Sequence, residues 1–329
     1  MKIWYDACTG KHVRYANAIA KRLRKSGHEF VFTTREHPDT IPLAKILGEN
    51  PLVIGKYNPS TLTSRLEESG ERIIEFAKLF KEKAPDIAIA HQSVELCRTA
   101  FGLGIPIILT ADTPYAYAVN RLTIPFAHTV VVSEALPKSF TRNYCAKNVV
   151  PFKGIDEVAW IKDFKPTKIA GLKKPLIVVR QIEAKAVYAQ GKRDLAKIIA
   201  EQLGKIGNVL LIQRYNEEGQ EFGIKEGFLD SANLVANADL VVSYGGTIAR
   251  EAALQGVPSI AISDMAKTYV NRYVAQRGFP LFITTEQGIL GHAKKYLGKR
   301  FDVKNKLDEL ENPIDVIEKV VENTKLKPS

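Results

Sequence analysis

The chain is poor in cysteine, methionine and tryptophan, with three, two and two of them. Cys8, Cys97 and Cys145 lie far apart, and no Cys-x-x-Cys occurs. An odd number of scattered cysteines argues against a disulfide framework; free thiols in a reducing, cytoplasmic setting are expected. The six histidines show no His-x-x-x-His spacing, so neither a metal site nor a cofactor is expected. No apolar run approaches the roughly 18 residues that span a bilayer, so a transmembrane segment is not expected. The start, Met1 to Asp6, lacks a signal-peptide layout and reads as a first strand. Neither Gly-x-x-x-x-Gly-Lys-Ser/Thr nor Gly-x-Gly-x-x-Gly is present, which excludes a P-loop and the usual dinucleotide fingerprint. RNA-recognition, KH and zinc-finger signatures are missing too.

What is present points to an ordinary soluble α/β protein with an anionic ligand. The 329 residues suffice for two domains. Apolar content of 45% and charged content of 25% are those of a globular chain. The net charge of +11 suits a nucleotide sugar, a phosphorylated head group or nucleic acid. The one local basic cluster, Lys21-Arg22-Arg24-Lys25, ends an amphipathic helix, where cations suit the macrodipole. It reads as a solvated helix end more readily than as a nucleic-acid patch.

Short β-branched runs alternate with helical segments along the chain. Strands are expected at residues 2–5, 30–33, 52–54, 86–90, 106–110, 128–133, 176–179, 209–212, 239–242 and 258–262. Helices are expected at 13–25, 41–47, 69–83, 94–101, after a cap at Ser133, then at 194–203, 228–237, 248–255, 268–276, 285–296 and 313–323. This is the rhythm of parallel sheets covered by helices on both faces. The Lys- and Pro-rich stretch from Pro151 to Pro175 breaks it and reads as a link between halves. The expected fold is two doubly wound, Rossmann-like domains facing across a cleft. Residues 1–160 form an acceptor-side domain and 161–311 a nucleotide-binding domain, with 312–329 a C-terminal helix packing back on the first.

The stretch from Ser243 to Pro258 carries the clearest chemistry. A strand, Asp239 to Val242, runs into Ser243-Tyr244-Gly245-Gly246-Thr247 and then a helix that stops at Gly256. Gly-Gly permits close approach to the backbone, and the helix start offers free N–H groups to phosphate. Thr247 can cap the helix or bind an anion. Glu251, one turn on, is placed to accept bonds from ribose hydroxyls. The plainer reading is a tight strand-to-helix turn. Arg250 shares a helix with apolar Ile248, Ala252 and Leu254 and is expected to be solvated.

These features resemble the GT-B group, which includes nucleotide-sugar glycosyltransferases and UDP-N-acetylglucosamine 2-epimerases. Ser243 to Thr247 with Glu251 looks like the nucleotide-sugar site of these proteins. Ala118-Val119-Asn120-Arg121 resembles a Glu-x-Asn-Arg motif of the epimerases, and Val179-Arg180-Gln181-Ile182-Glu183 their His-Arg-x-Glu segment. The start Lys2 to Asp6 with Lys11-His12-Val13 resembles an uncharacterised, largely archaeal group of this fold. Lys153 to Glu157, and Arg180 with Ala186-Val187-Tyr188, resemble the same group. The resemblance implies a metal-independent glycosyltransferase acting on a nucleotide sugar, a UDP-sugar above all, and an unidentified acceptor. A homodimer is compatible with it. Ala118, Val119 and Val179 stand where the epimerases carry acid–base groups, which lowers the standing of epimerisation. A donor-hydrolysing enzyme, or a non-catalytic nucleotide or nucleic-acid binder, would also fit these residues.

Several side chains fall at the carboxyl ends of expected strands, where such sheets bind ligands. His12 is a candidate base, with an ordinary pKa near ~6.5, or a helix N-terminal histidine with a local hydrogen bond. Asp112 is a second candidate base, or an N-cap. Asp6, Lys11, His91 and Arg121 are candidate acceptor or cleft residues. Asp6 would orient His12, hold an acceptor hydroxyl or cap the loop. Arg180 would clamp a diphosphate bidentately, or pair with Glu183.

Overall fold

In the computed structural model, which describes residues 1–181, 195–212, 230–262 and 266–324, parallel strands alternate with helices throughout. Ile182, Glu183, Ala186, Val187, Tyr188, Asp194 and Phe228 lie outside the described residues. Contacts divide the chain into two units, Met1–Trp160 with Glu311–Ser329, and Ile161–Leu310.

The first unit runs β1 (Lys2–Ala7), α1 (Gly10–Lys25), β2 (Glu29–Glu36), α2 (Thr40–Ile46), β3 (Leu52–Lys56), α3 (Leu62–Leu79), β4 (Ile87–His91) and α4 (Val94–Gly102). It continues through β5 (Ile107–Ala111), α5 (Tyr117–Arg121), β6 (Thr129–Ser133), α6 (Lys138–Asn143), β7 (Val149–Phe152) and the short α7 (Val158–Ile161). Its seven strands are parallel in the order β3-β2-β1-β4-β5-β6-β7. Strand β1 is central, and its apolar side chains are buried on both faces, as in a parallel sheet under two helical layers. Trp4 meets Phe76 and Phe80, with ring centroids 4.9 and 4.7 Å away, and its indole N–H donates to Thr33.

The second unit comprises β8 (Leu176–Arg180), α8 (Ala196–Leu203), β9 (Asn208–Ile212), α9 (Ser231–Ala236), β10 (Leu240–Ser243) and α10 (Thr247–Leu254). It is completed by β11 (Ser259–Ile262), α11 (Tyr269–Gln276), β12 (Leu281–Thr284), α12 (Ile289–Tyr296) and α13 (Lys304–Asp308). The five parallel strands are ordered β12-β11-β10-β8-β9. Alternation along β8 supplies two cores. Ile177 and Val179 join a cluster with α8 and α12, whereas Leu176 and Val178 join one with α9 and α10.

The last helix, α14 (Pro313–Asn323), belongs to the first unit. Asn312 caps it, and Ile314, Val316, Ile317 and Val321 bury its apolar face. It packs on α1 and on β5, β6 and β7.

Some boundaries differ from those expected. Helix α3 starts at Leu62 rather than Ser69, because Thr61 and Ser64 form a reciprocal capping box ahead of it. Ser133 caps no helix: its hydroxyl donates to the Gly154 carbonyl and accepts from the Ala135 amide, and α6 begins after Pro137. Residues Val149–Phe152, partly assigned to a link, form the edge strand β7. Among the described residues, no helix is long and apolar enough to cross a membrane.

Candidate functional site

In the first sheet the chain fills one side from β1 to β3 and then resumes on the other with β4. The crevice beyond the carboxyl ends of β1 and β4 is therefore the topological switch point, where ligands bind in doubly wound sheets. Asp6 and the turn into α1 close β1, and His91, Gln92 and Ser93 close β4. Gln92 holds a left-handed φ of 53°. Such a conformation costs a non-glycine residue roughly 1 kcal/mol or more and concentrates at functional sites. Its amide is used on both sides: Nε2 donates to Asn120 Oδ1 at 2.5 Å, and Oε1 accepts from the Asp112 backbone at 3.4 Å.

Two charge networks meet here. In the first, Asp6 is fully buried. One carboxylate oxygen accepts from Arg72 Nη2 at 2.7 Å and Thr33 Oγ1 at 2.9 Å, and the other accepts from Ser93 Oγ at 2.7 Å. Asp6 thereby ties β1 to β2, α3 and the start of α4, and both of its oxygens are engaged by the protein. The neighbouring Cys8 thiol is pushed up to about 12 by burial first and then by the Asp6 charge.

The second network surrounds Lys11. Its ammonium donates to Asp112 Oδ2 at 2.5 Å and Asp156 Oδ2 at 2.8 Å. Tyr15 donates to the other Asp156 oxygen at 3.2 Å. Burial and then Asp156 hold the Tyr15 phenol well above its ordinary range. His91 Nε2 lies 3.6 Å from Asp112 and 4.0 Å from Asp156, and Nδ1 is 2.8 Å from Thr110 Oγ1. Asp112 is the more open carboxylate, with its side chain 15% exposed against 4% for Asp156. His91, Asp112 and Asp156 could together face a metal ion, as could Asp6, Cys8 and Glu95. A protein cation already lies in each group, Lys11 in the first and Arg72 in the second.

His12 is the third residue of α1 and half-buried. Its Nδ1 accepts the Cys8 backbone N–H at 3.3 Å, and its ring meets His91 edge to face at 5.0 Å. Burial, then His91, Lys11 and Arg35, hold its pKa well below 6.5. Arg121 ends α5 exposed, while its neighbour Asn120 is fully buried and donates to the carbonyls of Thr113 and Pro114.

In the second sheet the switch point lies between β8 and β10. Arg180 ends β8 and Ser243 ends β10, so both expected groups occupy the ligand edge. Gly245 has φ +88°, and a Cβ there would lie 2.7 Å from Asn271 Nδ2 and 2.8 Å from Ala266 Cα. Asn271 clamps the turn by donating to the carbonyls of Gly245 and Ala266, both at 2.9 Å. Gly246 sits at the N-cap of α10 and has no side chain to cap the helix amides, and a Cβ there would meet open space. Thr247 opens the helix rather than capping it. Among the described residues the first-turn amides therefore form an uncapped positive end.

Glu251 is fully buried, with Oε2 accepting from Ser231 Oγ at 2.8 Å. Arg250 is not solvated as expected: it is 6% exposed and donates to Asn271 at 3.1 Å. Every side of α10 is covered, by the sheet, α9 and α11, so no face of this helix is left to water.

Tyr15 and Asn271 have no motif in the sequence, and Asn120 and Asp156 stand only inside stretches that resemble known groups, without a role of their own. Only the topology brings Asp156 to Lys11, across 145 positions.

Comparison with known proteins agrees with this architecture. An uncharacterised protein of Methanocaldococcus jannaschii is 29% identical over 96% of both chains. An N-acetylglucosamine transferase of Pseudomonas fluorescens, which acts from UDP-N-acetylglucosamine on a pyrophosphoryl-undecaprenol carrier by its name, is 26% identical over 53% of this chain and 52% of its own. The UDP-GlcNAc 2-epimerase of Methanocaldococcus jannaschii superposes with a TM-score of 0.66 at 14% identity, covering 98% of this chain and 100% of that one. A spinosyn rhamnosyltransferase complexed with thymidine diphosphate gives 0.61 at 13% identity, over 97% and 99%. The fold is GT-B-like. A family model described as "Protein of unknown function (DUF354)" matches residues 1–325, and the chain belongs to that family.

Proposed function

We propose that this chain is a glycosyltransferase that moves a sugar from a nucleotide-sugar donor to an acceptor hydroxyl. The observation that carries the reading is the uncapped start of α10 at Gly246, at the β8/β10 switch point and beside the strand that ends in Arg180. Amides of the first turn bind the diphosphate, and Arg180 adds a guanidinium with bidentate geometry. Ser231, half-exposed and bonded to the buried Glu251, is the polar pair for the ribose. The thymidine diphosphate in the rhamnosyltransferase and the donor named for the Pseudomonas transferase support this ligand class.

The acceptor hydroxyl binds in the first unit beside Lys11, Asp112 and His12. Its oxygen forms the new bond to the anomeric carbon, and the bond from that carbon to the diphosphate breaks. The electron pair leaves with the nucleoside diphosphate, and the acceptor proton passes to Asp112. Lys11 and Thr113, bonded to Asp112, orient that carboxylate. Amides and Arg180 offset the leaving charge without requiring a metal. Residues Ala118, Val119 and Val179 supply no acid–base group, which weighs against epimerisation.

Calorimetry of the full chain against UDP-, GDP-, ADP- and dTDP-sugars, with mass spectrometry of products, tests this reading. Micromolar binding of one donor and sugar transfer to a hydroxyl acceptor are expected. Binding of none, with steeply salt-dependent RNA or DNA affinity instead, would replace it with a nucleic-acid binder.

A further inference from the structure

We infer that His12 acts on the acceptor as a neutral hydrogen-bond donor through Nε2–H, and not as the base. This rests on the reading of the first unit as the acceptor site.

The geometry of the β1–α1 turn decides the tautomer. The Cys8 backbone N–H points at His12 Nδ1 from 3.3 Å. A backbone amide only donates, so Nδ1 must present its lone pair. A neutral imidazole carries one ring proton, which then sits on Nε2. The base role needs the opposite arrangement, a bare Nε2 and a proton on Nδ1. That arrangement sets two N–H groups against each other across 3.3 Å and leaves the Cys8 amide unpaired.

Protonation of both nitrogens meets the same conflict and an unfavourable field. His12 stands in the first turn of α1, at the positive end of the helix. Lys11 on its own helix, Arg35 from β2 and His91 from β4 all disfavour a cation there, and Asp112 beyond β5 opposes them without prevailing. Among the described residues the His12 ring makes one hydrogen bond, at Nδ1, and the half-buried ring leaves Nε2 for a ligand. Its proton is thus available to an acceptor oxygen while Asp112 receives the acceptor's own proton.

Nitrogen-15 NMR of the full chain tests the tautomer directly, with His12→Gln identifying the His12 signals by their loss. A neutral ring protonated at Nε2 and unchanged from pH 8 to pH 5.5 is expected. A proton on Nδ1, or titration close to the ordinary pKa of about 6.5, overturns the inference. Turnover with whichever acceptor reacts tests the role. Glutamine keeps an N–H near the Nε2 position, so His12→Gln retains kcat within about ten-fold, whereas His12→Leu loses about 100-fold. If His12→Gln falls as far as His12→Leu, with loss of a pH limb near 6.5, the base role stands instead. The NMR outcome holds whether or not sugar transfer is found, so failure of the wider reading is seen separately, in the absence of any product.

Discussion

Replacing Gly246 with aspartate should strengthen α10 and weaken ligand binding at the same time. Gly246 has extended backbone, φ −82° and ψ −165°, and a Cβ built there meets nothing within 4 Å. Aspartate suits that N-cap conformation, and capping gains a few tenths of a kcal/mol, up to about 1 with the helix dipole. Its carboxylate takes the amides proposed for the diphosphate and adds a negative charge to the site. At a separation of about 5 Å and an effective dielectric of about 20, each opposing unit charge costs about 3 kcal/mol. One such charge alone lowers affinity about 100-fold, so nucleotide-diphosphate affinity should fall by at least that factor. Gly245→Ala serves as the converse. Its φ of +88° and the 2.8 Å approach to Ala266 Cα make it strained. About 2–4 kcal/mol of stability should be lost through the left-handed backbone and overpacking together. Calorimetry reads the affinity. Hydrogen exchange in β10 and α10 reads the stability, because Trp4 and Trp160 both lie in the first unit and report only on it. An affinity within two-fold of the parent in Gly246→Asp, with α10 intact, would refute the assignment of these amides to phosphate.

Asp6→Ala removes the shorter of the two ion pairs of the Arg72 guanidinium, whose side chain is 1% exposed, and leaves it Glu95 at 3.4 Å. The first unit should lose about 3–5 kcal/mol in urea unfolding followed by tryptophan emission; a loss below about 1 would show that water replaces the carboxylate. A thiol reagent at pH 8 should modify Cys145, the one exposed cysteine, and leave Cys8 and Cys97 protected until unfolding. The Cys8 thiol also has a consequence for pH. Its pKa is raised from 9.0 to about 12 in the fold, so its contribution is complete below pH 9. It is lost as the pH climbs from 9 towards 12, where the unfolded chain has already ionised. Cys8→Ala should flatten that alkaline decline in a urea series; an unchanged decline would assign it to other groups, such as the raised phenols of Tyr5 and Tyr15.

The fold is legible in the sequence because parallel strands covered on both faces leave unbroken apolar runs between amphipathic helices, as at Val209 to Ile212 and Leu240 to Val242. The Gly245-Gly246 turn is legible for a similar reason: a strand end, two glycines and a helix start are local in sequence. Side-chain partners are not local. Asp6 reads as a group that orients His12, meets an acceptor or caps its loop, yet it pairs with Arg72, 66 positions away. Arg250 reads as solvated because helical periodicity gives one apolar face and is blind to a second layer such as α11. The position of His12 at a strand-to-helix turn can be read from the chain, but its tautomer depends on a backbone amide that no motif encodes.

The most direct measurement is the change in amide chemical shifts of the full chain on adding a nucleoside diphosphate, compared with the nucleoside alone. The largest changes should fall on Gly246, Thr247 and Ile248, with smaller ones near Arg180, and the nucleoside should leave those amides unmoved. Shifts confined to other elements, or none at millimolar diphosphate, would contradict a nucleotide-sugar site at the start of α10.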